Sequence, residues 1–435
     1  MSFRTRARNA RVAFLVIALA VSAPGAHAAD APLTLAEAQR RAVARSTLLP
    51  AQDAAATAAR AMAVSASQWP DPVLKVGVDN LPVSGADAWS FTKDSMTMAR
   101  VGVMQEIVST GKREVRAQRY EREASRAEVE KAAIAAGVAR DAALAWIDRY
   151  YAEANLKVLG EQVEAAWLEV DAAESAYRAG RGTQADVFAA LGARAALAER
   201  ASEAKRKVAT AVTMLARWVG PGADTPLAGA PDFSHVPLDR AHLTDQLAHH
   251  PQIAMLAQAE TVAESEAKVA QADRDPNWSV EVYYQQRGPG YGNMMSFGVN
   301  VPLPWDRANR QDRDVAAKLA LADQARAQRE DALRTHVAEV QGMLEEWENG
   351  RERLALYADS LRPFARDRTG AALTAYRGGK GTLAEVLAAR RAELDVRRDE
   401  LMLARETARL WAQLAFFDFD SNAHGMPAPA RKEAP

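Results

Sequence analysis

The chain has 435 residues, a formal net charge of −1, no cysteine, 26% charged residues and only 6% aromatics. The near-neutral balance argues against a nucleic-acid binder, and the lack of cysteine excludes disulfides, thiolate metal sites and a lipid-modified N-terminal Cys. A composition led by Ala, Arg and Glu reads as a protein of long helices rather than an aromatic-cored enzyme.

The first element is a targeting segment. Arg4, Arg6, Arg8 and Arg11 form a basic n-region, Val12 to Val21 an apolar h-region, and Ala26-His27-Ala28 an A-x-A cleavage site behind Pro24. Residues 1–28 are therefore predicted to be a secretory signal peptide. No later stretch is apolar and long enough for a spanning helix, so any membrane the exported chain enters must be entered without helices.

Thr34 with Glu37 forms a capping box that opens a helix predicted to run to about Ser67. Two alternating segments follow, at about 73–82 and 98–108. Leu74, Val76 and Val78 oppose Lys75, Gly77 and Asp79, and Val101 and Val103 oppose Arg100, Gly102, Met104 and Glu106. A period of two with one apolar and one polar face is a strand pattern. The second half repeats it at about 278–286 and 293–303: Trp278, Val280, Val282 and Tyr284 on one face, then Met295, Phe297, Val299 and Val301.

Proline placement locates the long helices, because an interior proline costs about 3 kcal/mol. No proline lies between Pro82 and Pro221, and Pro363 alone lies between Pro304 and Pro427. Lys112 to Tyr177 and Arg310 to Tyr376 are predicted helices, the second kinked near Pro363. Each turns and returns, as Thr183 to Trp218 and Thr382 to Phe417. His249-His250, before Pro251, reads as a solvated helix cap rather than a ligand pair.

The turns are near copies: AYRAGRGTQADVFAA over Ala176–Ala190 and AYRGGKGTLAEVLAA over Ala375–Ala389. They lie about two hundred residues apart, a domain-sized duplication rather than a solenoid period. Gly180, Gly182, Gly379 and Gly381 are expected to supply left-handed backbone, and Thr183 with Asp186 and Thr382 with Glu385 to cap the returning helices. The chain thus divides into a signal peptide (1–28), a first repeat (29–235, tip about 178–184), a second repeat (236–418, tip about 377–383) and a tail (419–435). Four strands cannot close a barrel, which needs about eight, so the chain should borrow strands from neighbours in a symmetric oligomer.

The order of LTLAEAQ (Leu33–Gln39), WPDPVLKVGV (Trp69–Val78), two strands, TGKREVRAQR (Thr110–Arg119) and a long hairpin, then most of it again, resembles the TolC-type outer-membrane efflux factors. The resemblance covers the whole mature chain, and its strongest motif is the duplicated tip phrase. It implies a mainly α protein with membrane β: a homotrimer whose 12-stranded β-barrel stands on a long periplasmic α-helical barrel. It implies an equatorial belt at Gly220–Leu238 plus the tail after Phe417. It implies an outer-membrane duct of a Gram-negative bacterium, reaching into the periplasm and held by lipid contact of the barrel alone, since no lipid-anchoring Cys is present. Its partners would be a periplasmic adaptor and an inner-membrane resistance-nodulation-type pump, with no cofactor and no nucleic acid. The adaptor-contacting tips would be Arg178, Gly180, Gly182, Thr183, Arg377, Gly379, Gly381 and Thr382, and Asp186 and Glu385 would ring the periplasmic gate.

The WPDPVLKVGVDN and MARVGVMQEIVSTGKREVRAQR segments most resemble the heavy-metal branch, with drugs as the second cargo class. Met96, Met98, Met104, Met294 and Met295 would suit a soft ion but read as packing. No G-x-S-x-G, H-E-x-x-H or phosphate loop is present, and an enzyme is not expected. The rival readings are a type I protein-secretion channel and, behind it, a periplasmic adaptor with one coiled-coil hairpin.

Overall fold

A computed structural model describes residues 32–415. The signal-peptide and tail expectations, and the last residues of the final helix, lie outside this range. Two short helices open the fold, α1 (Leu35–Arg45) and α2 (Leu48–Ser67), followed by β1 (Val73–Asp79) and β2 (Met98–Ile107). The long helix α3 (Thr110–Arg178) turns into α4 (Gln184–Val219). The second half runs α5 (Leu243–Ala248), α6 (Pro251–Asp273), β3 (Trp278–Arg287), β4 (Met294–Asn300), α7 (Gln311–Leu356), α8 (Arg362–Arg377) and α9 (Leu383–Ala415).

One expectation about helix continuity needs correction. The opening helix is not one piece: it breaks at Ser46 and Thr47. Pro50 sits in the first turn of α2, where its ring would strike the carbonyl of Ser46 if the helix ran through. The second long helix runs on past Pro363, and its irregularity there takes the form of a widened turn. Over Tyr357–Leu361 the turn loosens, and the Arg362 N–H donates to Tyr357 O, five residues back. Pro363 has no N–H to give, and a wider turn makes room for its ring.

The four strands form one antiparallel sheet in the order β1-β2-β3-β4, so the two hairpins meet along β2 and β3. The register aligns Leu74, Val103, Val282 and Phe297 in one row and Val76, Val101, Tyr284 and Met295 in the next. All eight are on one face. That face is bare, with Val76 73% and Phe297 76% exposed. The other face is polar and internally paired. Lys75 Nζ lies 2.8 Å from Glu281 Oε2, and Tyr283 Oη donates to the same oxygen at 2.7 Å. Tyr283 can lie flat there because its ladder partner is Gly102, where a Cβ would stand 2.3 Å from the ring.

At 1.5 Å per residue α3 is about 100 Å long, with the sheet at its start and the tip at its end. Lys112, buried at the sheet end, holds this junction: its Nζ donates to the Asp275 carbonyl and, at 2.8 Å, to Asn277 Oδ1 just before β3. Midway along α3, the non-helical segment after α4 clasps the helices. Leu33 pairs with Leu227, Trp146 Nε1 donates to Leu33 O at 2.9 Å, and the Arg149 guanidinium donates to the carbonyls of Ala223 and Thr225. Trp411 of α9 donates to His235 O at 2.7 Å. The largest buried cluster lies here, around Leu33, Trp146, Ile147, Leu215 and Ala412. Among the described residues, no helix is long and apolar enough to cross a membrane.

Candidate functional site: the paired hairpin tips

The two tips share their main hydrogen bonds. Gly180 N donates to Tyr177 O at 2.9 Å and Gly379 N to Tyr376 O at 3.0 Å; Arg181 N donates to Ala176 O and Lys380 N to Ala375 O, both at 2.9 Å. These bonds satisfy the last carbonyls of α3 and α8, which would otherwise be unpaired. Gly180 and Gly379 are left-handed, at φ +69° and +67°. Gly182 and Gly381 are not, contrary to expectation. Their need is steric: a Cβ at either would come within 3.2 Å of the Ala176 or Ala375 Cβ and 3.3 Å of the next backbone nitrogen. This also explains the repeated Ala, since a larger side chain there would meet the returning loop.

Thr183 and Thr382 start the returning helices. Asp186 N donates to Thr183 Oγ1 at 3.2 Å, and Thr183 N returns a bond to Asp186 Oδ2 at 2.8 Å. Glu385 and Thr382 repeat the exchange at 3.3 and 2.8 Å. The Thr183 backbone and hydroxyl hold the Asp186 carboxyl below the usual carboxylate range. Both gate candidates are therefore helix caps, with their carboxylates turned back onto the loop. Arg178 and Arg377 close the preceding helices and are solvent-exposed, with Arg181 and Lys380 beside them.

Packing brings the two tips together, which no motif indicated. Tyr376, Leu383 and Leu387 of the second hairpin cover Val170, Ala173, Val187 and Ala190 of the first. Arg390 adds an ion pair to the nearly buried Glu169, Nε to Oε1 at 2.6 Å. An acid seven residues before Ala176 opposite a base in the second copy was the available signal.

His250 also differs from expectation. It does cap α6, accepting from Gln252 N at 3.3 Å, but it is half-buried rather than freely solvated. Its Nδ1 lies 3.2 Å from His336 Nε2 on α7. Burial lowers the His250 pKa to about 4, helped by the neighbouring His336 and Arg140, and burial lowers His336 as well. Among the described residues, no three His, Cys, Asp or Glu side chains gather as a metal-binding group.

Residues 243–417 match the family model described as outer membrane efflux protein. The second half of the chain is thus similar to that family. The efflux-protein fold extends over the first half as well. The outer-membrane channel OprN superposes with a TM-score of 0.74 at 18% identity, over 88% of this chain and 89% of its own. CusC, described with transmembrane channel formation, gives 0.73 at 16% identity, covering 88% and 91%. The outer membrane protein VceC from Vibrio cholerae gives 0.70 at 19%, covering 88% and 96%. No curated protein matches the chain. These efflux proteins are channels rather than enzymes.

Proposed function

We propose that the protein is the outer-membrane exit duct of a tripartite efflux system, passively conducting cargo from a periplasmic adaptor and an inner-membrane pump to the exterior. The observation that carries this reading is the sheet. Four strands expose a continuous apolar face on one side, keep a paired polar face on the other, and leave β1 and β4 with open edges. Bare Phe297, Val76 and Leu74 are costly in water at about 25 cal/mol per Å² and are at home in hydrocarbon. Strands of 7 to 10 residues suit a lipid-facing band about 25 Å tall. Open edges need partners. Three copies pairing β4 to the next β1 give a closed twelve-stranded barrel with Lys75, Arg100 and Glu281 in its lumen. The helices, about 100 Å long, then form a periplasmic tube.

In this trimer the tips stand farthest from the membrane. Arg178, Gly180, Gly182, Thr183, Arg377, Gly379, Gly381 and Thr382 form the adaptor-contacting rim, and Asp186 and Glu385 recur three times each around the mouth. Heavy-metal cations are the proposed cargo, on the resemblance of the strand segments to that branch, with drugs as the second class. Localisation rests on the predicted signal peptide and the barrel. The test is deletion of the gene with fractionation of the tagged protein. Outer-membrane trimers and a deletion strain sensitised to metals support the reading; a soluble periplasmic monomer overturns it.

A further inference from the structure

Between α3, α6 and α7 a cavity brings together two histidines that lie 86 residues apart in the chain. Helices α6 and α7 run antiparallel here, clamped by Arg326 and Arg329 on Glu260 and by Lys318 on Glu266. The clamp sets His250, the N-cap of α6, against the buried His336 of α7. Nδ1 of the first stands 3.2 Å from Nε2 of the second, and the rings are tilted by 44° rather than stacked. Two imidazole nitrogens on one tetrahedral ion, each at about 2.0–2.1 Å, stand about 3.3 Å apart. A linear ion holds them about 4 Å apart, so the observed spacing has the bite of a tetrahedral site.

The surroundings suit a cation. Glu339 Oε2 lies 3.7 Å from His336 Nδ1, the ring nitrogen turned away from His250. A carboxylate behind a ligating histidine takes the proton of that nitrogen and leaves the other one basic. In the metal-free pair one proton is shared between His250 Nδ1 and His336 Nε2. When an ion takes its place, that proton moves to His336 Nδ1 and faces Glu339, so no proton has to leave the site. The cavity beside the pair measures about 560 Å³, with Glu130, Arg140, Asp141, Met255 and Met343 in its lining. Arg140 is held by Asp141, Nη2 to Oδ1 at 2.9 Å. Glu130 and Glu339 remain to offset the positive end of the α6 dipole.

We propose that His250 Nδ1 and His336 Nε2 bind a divalent cation of the zinc class, with waters in the cavity completing its shell, so that the ion pins α6 to α7. The inference goes beyond the duct reading and does not depend on trimer closure: it concerns an ion held by the fold, not cargo. Paired imidazoles select Zn²⁺ or Cu²⁺ over Mg²⁺ and Ca²⁺, which take oxygen ligands. The ion displaces the long contact from Gln252 N, 3.3 Å from His250 Nδ1, and a cavity water can accept that N–H instead.

The test uses the full chain in mild detergent, stripped with EDTA at near-neutral pH. Zn²⁺ should raise the thermal midpoint where Mg²⁺ does not, and titration calorimetry should count one Zn²⁺ per chain. His336→Gln and His250→Asn, the latter keeping a side-chain acceptor at the N-cap, should each weaken Zn²⁺ binding about tenfold or more, while the neighbouring His249→Gln leaves it unchanged. A second measurement needs no variant. Cu²⁺ added in equimolar amount to the native chain should show hyperfine coupling to two imidazole nitrogens in its electron paramagnetic resonance spectrum. A native chain that does not respond to Zn²⁺, a response retained in both variants, or a Cu²⁺ spectrum without imidazole coupling overturns the site and leaves the duct reading standing.

Discussion

Arg390 Nε lies 2.6 Å from Glu169 Oε1, and this pair ties the returning helix of the second hairpin to the outgoing helix of the first. The Glu169 side chain is 7% exposed and the Arg390 side chain 24%. An enclosed pair contributes little net stability, because desolvation offsets most of the attraction, but removing one partner leaves a charge without compensation. Arg390→Ala should therefore destabilise the tip contact by about 3 kcal/mol. Arg390→Leu combined with Glu169→Leu should recover most of the loss. Hydrogen exchange of amides in 383–391 reads both. Equal protection in wild type and Arg390→Ala would show that the pair holds nothing.

The seam between the two sheet hairpins predicts a second outcome. Gly102 has Tyr283 Cδ1 and Val282 O where a Cβ would go, at 2.3 and 2.4 Å. The tyrosine ring could swing away, but the carbonyl belongs to the ladder and cannot. Gly102→Val should force β2 off β3 and separate the hairpins. The trimer proposed above should then no longer be extracted in mild detergent, whereas Gly292→Ala, with open space around it, should leave it intact.

Gly180 and Gly182 should respond differently to alanine. At Gly180 the cost is conformational, about 1 kcal/mol for a left-handed residue given a Cβ. At Gly182 it is a close approach to the Ala176 Cβ and the Tyr177 nitrogen, so Ala176→Gly should partly restore Gly182→Ala and do nothing for Gly180→Ala. Resistance and thermal denaturation of the four variants separate the two causes. Gly182→Pro and Gly381→Pro together should abolish export while trimer levels stay normal, if the tips carry the adaptor contact.

Much of the fold was legible because it depends on local patterns. Alternation at 73–79 and 278–287 gave strands with the observed faces, and missing prolines gave α3 and α7. The break at Ser46 was also legible, since Pro50 forbids a continuous helix there, but the Thr34 cap drew the helix too long; Glu37 does not complete the box, pairing with Arg40 and Arg41 instead. What stayed hidden depends on distant partners. Nothing near Arg149 says that its guanidinium binds carbonyls more than seventy residues on, and nothing near His250 points to His336. The tip glycines were half legible: sequence asks for glycine, but whether for its φ or its missing Cβ is decided by Ala176, across the loop.

The His250–His336 contact gives the pH dependence. Both groups have folded pKa values below the ordinary histidine value, so the unfolded chain binds more protons between the two. Stability is then complete above about pH 6.5 and falls as pH drops toward 4, because slope follows the excess protons of the unfolded state. The groups facing the pair are Arg140 of α3 and Glu339 of α7; the arginine opposes protonation and the glutamate favours it. His250→Gln with His336→Gln should flatten thermal denaturation midpoints between pH 6.5 and 4.5. A double variant that keeps the wild-type slope would move the sensitivity elsewhere.

Asp186 and Glu385 are caps in the structure, and in the proposed trimer they are also six carboxylates around one mouth. The two roles differ in what charge does. A cap needs an acceptor for the Thr183 or Thr382 amide, and Gln supplies one while losing the interaction of a carboxylate with the helix N-terminus. A ring needs charge, because like charges concentrate potential and attract cations. Asp186→Gln with Glu385→Gln should therefore keep most of the thermal stability of the tips. In planar bilayers the same variant should lose cation preference and become less sensitive to block by multivalent cations. The depressed Asp186 pKa keeps that carboxylate charged into acid, so wild-type cation preference should persist below the pH at which an ordinary aspartate is half neutralised. Unchanged selectivity in the double variant would leave these residues as caps alone and place the constriction elsewhere along the tube.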